Sequence, residues 1–164
     1  MGLRHIRPED EPMFLQWHND VDMRERIGGI FPFTAGDFQE LCRSGYGQYP
    51  SDIWFAVCEE DDLIGIAGLH SVRYIRRNAE VAMLIGEKEN RGKGKGRAVL
   101  GMIEKYAFGT LALHRLYALV YPDNYSAMQF LKSADWSREG VMQDAAYWNY
   151  QFRDVAIWAR IDIR

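Results

Sequence analysis

Asn90-Arg91-Gly92-Lys93-Gly94-Lys95-Gly96-Arg97 sets three glycines at alternate positions among four basic residues. An apolar run, Val81 to Ile85, precedes the stretch, and a helix-like run, Ala98 to Phe108, follows it. Strand, glycine-rich loop and helix in that order build an anion site. The first helical turn has unpaired N–H groups, and the helix dipole favours negative charge beside them. Glycine permits positive φ and lets a phosphate come close to the backbone. Arg91, Lys93, Lys95 and Arg97 add cations around the same point. An exposed basic turn is the plain alternative. Two well-known phosphate loops do not fit. Gly96 is followed by Arg97 and Ala98, so the magnesium-binding hydroxyl of the nucleotide P-loop is missing. The dinucleotide fingerprint needs its third glycine one position later and near the start of a βαβ unit, whereas this loop lies past mid-chain.

Arg91, Gly94 and Gly96 do satisfy Q/R-x-x-G-x-G/A. That loop resembles the pyrophosphate-binding loop of the GNAT superfamily of N-acetyltransferases, which hold acetyl-CoA. Ala79 to Lys88 is similar to the strand before that loop. His114 to Tyr117, and then Asp123-Asn124-Tyr125-Ser126-Ala127, are similar to the next strand and its N-x-x-A helix start. The likeness covers nearly the whole chain and is strongest toward the branch of ribosomal-protein N-terminal, spermidine and amino-sugar N-acetyltransferases.

The resemblance implies acetyl transfer from acetyl-CoA to a primary amine, with specific expectations. Arg91, Gly92, Lys93, Gly94, Lys95, Gly96 and Arg97 would hold the pyrophosphate. Met83, Leu84 and Ile85 would offer a strand edge to the amides of the pantetheine arm, where the strand splays from its neighbour. A backbone N–H near Leu84 would polarise the thioester carbonyl as an oxyanion hole does. An alkyl amine is mostly protonated at neutral pH and must lose a proton before it attacks. Glu80, a lone acid in an apolar strand, is the candidate base; a solvent-facing or salt-bridged strand residue is the alternative. Asp20, Asp22 and Glu25 would attract a cationic acceptor, or would simply form a charged surface loop. Asn124 would bond the pantetheine arm or cap its own helix. One departure matters. Leu131 stands where the family often places a tyrosine that protonates the leaving thiolate, and Asp135-Trp136 replaces the usual Gly-Phe. Tyr121, Tyr125 or water would then serve as the acid. A polyamine is the favoured acceptor, an amino sugar next, a ribosomal-protein N-terminus third. A regulatory acyl-CoA-binding module without turnover is the rival reading.

These residues need a frame. The 164 residues suffice for one domain over 1–164 with a real core, and 48% of them are hydrophobic. The expected fold is α/β (α+β): a single mixed, mostly antiparallel twisted sheet of about seven strands and about four helices, with splayed central strands. Pro8 with Glu9 to Glu11 opens a helix to about His18, and Thr34 with Asp37 suggests a capping box for a second helix, Gly36 to Arg43. Gly28-Gly29-Ile30-Phe31-Pro32-Phe33, with paired glycines and aromatics, reads as a cleft-lining loop. Strands are read at Leu3–Arg7, Trp54–Cys58, Leu63–Leu69, Ala79–Ile85, Leu113–Tyr121, Trp136–Met142 and Phe152–Ile161, and a short helix at Tyr125–Ser133. The aromatic turn Tyr147–Tyr150 suits core packing or the edge of a homodimer. A net charge of −3 argues against nucleic acid, and no apolar run approaches a membrane span. Cys42 and Cys58 suit reduced thiols in a cytoplasmic protein. The four histidines share no ligand spacing, so no metal is expected.

Overall fold

The computed structural model describes residues 1–27, 31–86 and 88–163. Gly28, Gly29 and Ile30 of the expected cleft loop, and Glu87, lie outside the described residues. The chain opens with β1 (Gly2–Arg4), a single 3-10 turn at Pro8–Asp10, then α1 (Glu11–Asn19), α2 (Val21–Ile27) and α3 (Ala35–Arg43). Next come β2 (Ile53–Glu59), β3 (Asp62–Arg73) and β4 (Asn78–Ile85). After the glycine loop follow α4 (Lys95–Glu104), β5 (Arg115–Val120), α5 (Tyr125–Ser133), β6 (Ser137–Trp148) and β7 (Gln151–Ile161). One seven-stranded sheet takes the order β1-β2-β3-β4-β5-β7-β6. Among the described strands only β4 and β5 run parallel. They are joined through α4, as a parallel pair requires a crossover.

Alternation along the strands sorts the core into two faces. Ala79 and Val81 of β4, and Leu116, Ala118 and Val120 of β5, point to the side of Val99, Leu100 and Ile103 of α4. The opposite face carries Ile66 and Leu84, under Phe14 of α1 and Phe38 of α3. Glu80 shares this second face with Leu84, two pairs of residues along a strand of period two.

Local chemistry sets the boundaries. Thr34 and Asp37 form the expected capping box, with Thr34 Oγ1 accepting from the Asp37 amide at 3.3 Å. Asp10 does more than favour a helix dipole. It is 5% exposed, grips the Arg4 guanidinium through two bonds of 2.7 Å, and accepts the Arg7 amide. Burial opposes its charge, but the Arg4 fork and the Arg7 amide outweigh that and hold its carboxyl below the usual range. The cradle ties β1 to the start of α1.

Two expectations are corrected. Most of the stretch expected to be an acidic loop is helix α2, Val21–Ile27, which joins the about four helices expected. The aromatic turn is shorter than expected, because β6 runs on to Trp148 and only Asn149 and Tyr150 turn, both at positive φ.

Candidate active site

β4 and β5 pair only at Asn78–Arg115, Ala79–Leu116 and Glu80–Tyr117. Beyond that point β4 stays on β3 as far as Ile85, and β5 stays on β7 as far as Val120. The two strands therefore part, and the Val81–Ile85 edge is left open toward β5. Met83 and Ile85 lean on the α4 side of the sheet, and Leu84 on the other. The ring of Trp17 lies so close over Gly86 that a Cβ there would overlap it, which fixes the end of β4 against α1.

The glycine loop begins just past this open edge. Gly92 and Gly94 have φ of +73° and +77°, and a Cβ on either would meet nothing within 4 Å. Gly94 caps α4, and the Arg97 and Ala98 amides both bond back to its carbonyl at 3.1 and 3.3 Å. The Lys95 and Gly96 amides before them find no acceptor among the described residues. At Gly96 a Cβ would touch the Phe130 ring at 3.4 Å and lie 3.8 Å from Met83 Cε, so the loop, α5 and the β4 edge converge there.

The cations do not all surround one point. Arg91 turns back: its Nε donates to the Ile85 carbonyl at 3.0 Å, and its terminal nitrogen to the Gly86 carbonyl and to Met23 Sδ of α2. Lys95 Nζ meets Glu59 at 2.5 Å and Asn90 Oδ1 at 2.7 Å. That ammonium holds the Glu59 carboxyl below its usual range. Arg97 bonds the Ser133 carbonyl and approaches Asp135 at 3.5 Å. Lys93 is exposed. Three of the four side chains thus brace the loop, and the open space belongs to backbone amides.

Glu80 sits at the apex where the strands part, between His70 of β3 and Tyr117 of β5 in the register. Burial pushes its carboxyl up, while the nearby His70 pulls it down. Burial, then the Glu80 charge, push the Tyr117 phenol up. Past the end of β5, Tyr121, Asp123, Asn124, Tyr125 and Arg153 join Asp22 and Glu25 of α2 around a cavity of about 530 Å3. Arg153 lies 4.2 Å from the centre of the Tyr121 ring and also bonds Asp123. Tyr125 is 71% exposed. Asp20 stays apart from this group and caps α2, its Oδ1 accepting the Met23 amide at 3.0 Å. Asn124 likewise caps α5 through the Ala127 amide at 3.2 Å. Leu131, in the position of the family tyrosine, is packed in the core at 5% exposure.

Asp52, His70, Tyr117, Asp123 and Arg153 went unrecognised as site residues from sequence. Strand register brings His70 and Tyr117 to either side of Glu80, the ion pair with His70 brings in Asp52, and the β6–β7 hairpin returns Arg153 to the cavity. Among the described residues no His, Cys, Asp and Glu cluster could hold a metal ion, and no helix is long and apolar enough to cross a membrane.

Comparison with known proteins places the chain in a family. Spermidine N(1)-acetyltransferase of Vibrio cholerae is 30% identical over 96 residues, covering 58% of this chain and 55% of that protein. The uncharacterized N-acetyltransferase p20 of Bacillus licheniformis is 28% identical over 152 residues, covering 88% of this chain and 83% of its own length. The chain thus spans about half the length of the spermidine acetyltransferase that it matches by sequence. Among solved structures, spermidine N-acetyltransferase from Vibrio cholerae in complex with CoA and spermine superposes with a TM-score of 0.86 at 23% identity, covering 98% of this chain and 94% of that one. The likeness is one of fold. The profile of the acetyltransferase (GNAT) domain matches residues 1–137, and the chain therefore belongs to the GNAT acetyltransferase family.

Proposed function

We propose that this protein transfers an acetyl group from acetyl-CoA to a primary amine by direct attack of the amine on the thioester. The observation that carries this reading is the parting of β4 from β5 at Glu80 and Tyr117, with the glycine loop at one end of the gap and an acid-lined cavity beside it. The Gly92–Gly96 amides, with Lys93, hold the pyrophosphate, in the space that no side chain fills. The open edge at Met83, Leu84 and Ile85 pairs with the pantetheine amides, and an N–H near Leu84 meets the developing oxyanion. Glu80 removes one proton from the ammonium, and the neutral amine then attacks. The C–N bond forms and the C–S bond breaks. As the amide forms, the nitrogen loses its second proton through water to the group that protonates the thiolate, so that group ends as it began. The thiolate takes a proton from Tyr121, Tyr125 or water; its ordinary pKa near 8.5 makes a strong acid unnecessary.

The acceptor we favour is a polyamine. Asp22, Glu25 and Asp123 line the cavity, and one carboxylate is balanced by Arg153. Relatives that act on spermidine add support. We also infer a homodimer along β6, a sheet edge with Tyr147, Tyr150 and Phe152 exposed at its end, and a reducing cytoplasmic setting in keeping with the free Cys42 and Cys58 thiols. Light scattering at twice the chain mass would support the dimer; a monomer would overturn it.

The deciding experiment follows thiol release from acetyl-CoA with spermidine, amino-sugar nucleotides and short peptides side by side. Turnover with spermidine is expected. Tight CoA binding with no turnover on any amine would instead favour a regulatory acyl-CoA-binding module.

A further inference from the structure

His70 Nδ1 meets Asp52 Oδ1 at 2.6 Å. The same carboxylate oxygen accepts the Ser71 amide at 2.9 Å, where β3 bulges and Ser71 takes a φ of +50°. The bulge follows the last regular pair of β3 with β4, and that pair is His70 with Glu80. Directly opposed residues on one sheet face are neighbours. Tyr117 continues the row on β5. Asp52, His70, Glu80 and Tyr117 thus form one line of titratable groups across the apex of the gap. The side chain of His70 is 50% exposed and that of Asp52 35%, so the line begins at solvent and leads inward to the half-buried Glu80.

We propose that His70, fixed by Asp52, is a positioning residue that returns the proton of Glu80 to solvent and so restores its carboxylate. This rests on Glu80 acting as the base. With Nδ1–H given to Asp52, the imidazole presents Nε2 as its proton-accepting nitrogen. Glu80 takes a proton from the ammonium and passes it to Nε2. The imidazolium, balanced by Asp52, releases it to water, and Glu80 is again a carboxylate. No other reactant is needed. The electrostatics fit the state after transfer: burial raises the Glu80 carboxyl, and the His70 imidazolium opposes that rise and favours the carboxylate. On the far side of Glu80 stands Tyr117 of β5, which has Arg73 of β3 and Arg115 of β5 near it, with Arg115 engaged by Glu139. On α1, His18 is turned inward between Phe14 and Phe33, and burial pushes it down. A bridge that merely pins the bulge would affect folding and leave the titration of Glu80 alone.

The test compares wild type, His70→Gln and Asp52→Asn by kcat/KM against pH with spermidine, by CoA affinity and by Tm. For His70→Gln the expected results are a kcat lowered about 10- to 100-fold, as when a group that orients a reacting residue is lost, and an acidic limb moved to higher pH. CoA affinity stays unchanged. Asp52→Asn should move the limb the same way but less, which keeps the test open if His70→Gln folds poorly. Added imidazole should restore part of the rate to His70→Ala. A folded variant with an unmoved limb and undiminished kcat overturns the role of His70 while leaving the transferase reading intact. Absence of wild-type turnover on every amine overturns the transferase reading itself, and this role with it.

Discussion

A methyl group added to Gly68 of β3 would meet the Trp54 ring at 2.7 Å and the Trp54 Cα at 3.0 Å. One added to Gly65 would run into the Leu84 carbonyl. One added to Gly92 or Gly94 would meet nothing within 4 Å, although both glycines have positive φ. The β3 glycines answer to the protein's own backbone, which closes to β2 on one side and β4 on the other. The loop glycines leave space that no protein atom claims. Glycine in a strand reads as a packing requirement. Glycine whose Cβ would point into the open, beside unpaired helix amides, reads as room for a ligand.

Breaking the β3 side should have the largest effect on folding. Gly68→Val forces a side chain into backbone and indole together, and the expected loss is about 3 kcal/mol or more; thermal unfolding with circular dichroism would show a poorly folded or insoluble chain. The loop side should behave in the opposite way. Gly94→Leu is expected to weaken CoA binding about 100-fold by calorimetry, equivalent to about 2.7 kcal/mol. Its folding cost should be only about 1–2 kcal/mol for the left-handed backbone. Equal damage to stability and affinity at both sites would erase the contrast.

Glu80→Gln sharpens the comparison further along β4. Turnover should fall about 100-fold, most strongly at low pH where the amine most needs a base. Stability should move the other way. A carboxyl raised in the fold favours the folded state below its unfolded pKa, and that contribution fades as pH rises through the folded value. At neutral pH the glutamine variant therefore escapes the cost of a half-buried charge, and its Tm should rise. The smallest effect belongs to the cavity rim. Asp22→Asn with Glu25→Gln should raise KM for spermidine about 5-fold, with CoA affinity unchanged and the difference shrinking in high salt, as for partly exposed charges.

Much of this frame was legible because short-range chemistry wrote it. Asn124 before Ala127, Phe130 and Leu131 marks α5, and the structure begins it at Tyr125 as expected. Thr34 and Asp37 mark α3 in the same way. The strand–loop–helix around Gly94 was readable from the apolar run before the glycines and the helix-like run after them. Helix α2 was not, because Asp20-Val21-Asp22-Met23 has no apolar period and its Asp20 cap looks like loop chemistry. The true length of β6 was hidden too, since most of this edge strand is exposed and shows little alternation of burial. Nor could sequence separate a cation that faces a ligand from one that braces a loop. Arg91 and Lys95 find their partners at Ile85, Gly86, Met23 and Glu59, and that choice is made by tertiary packing. The line from Asp52 to Tyr117 depends on register, which three separated strands set jointly.

The most direct measurement follows the backbone amides of the labelled protein by NMR as acetyl-CoA is added. The Lys95 and Gly96 signals, with those of Gly92 and Gly94, should move downfield and exchange more slowly with water as they take up the diphosphate, and the Met83–Ile85 amides should shift with them. Saturable CoA binding that leaves the loop amides unmoved would contradict the assignment of the diphosphate to this loop.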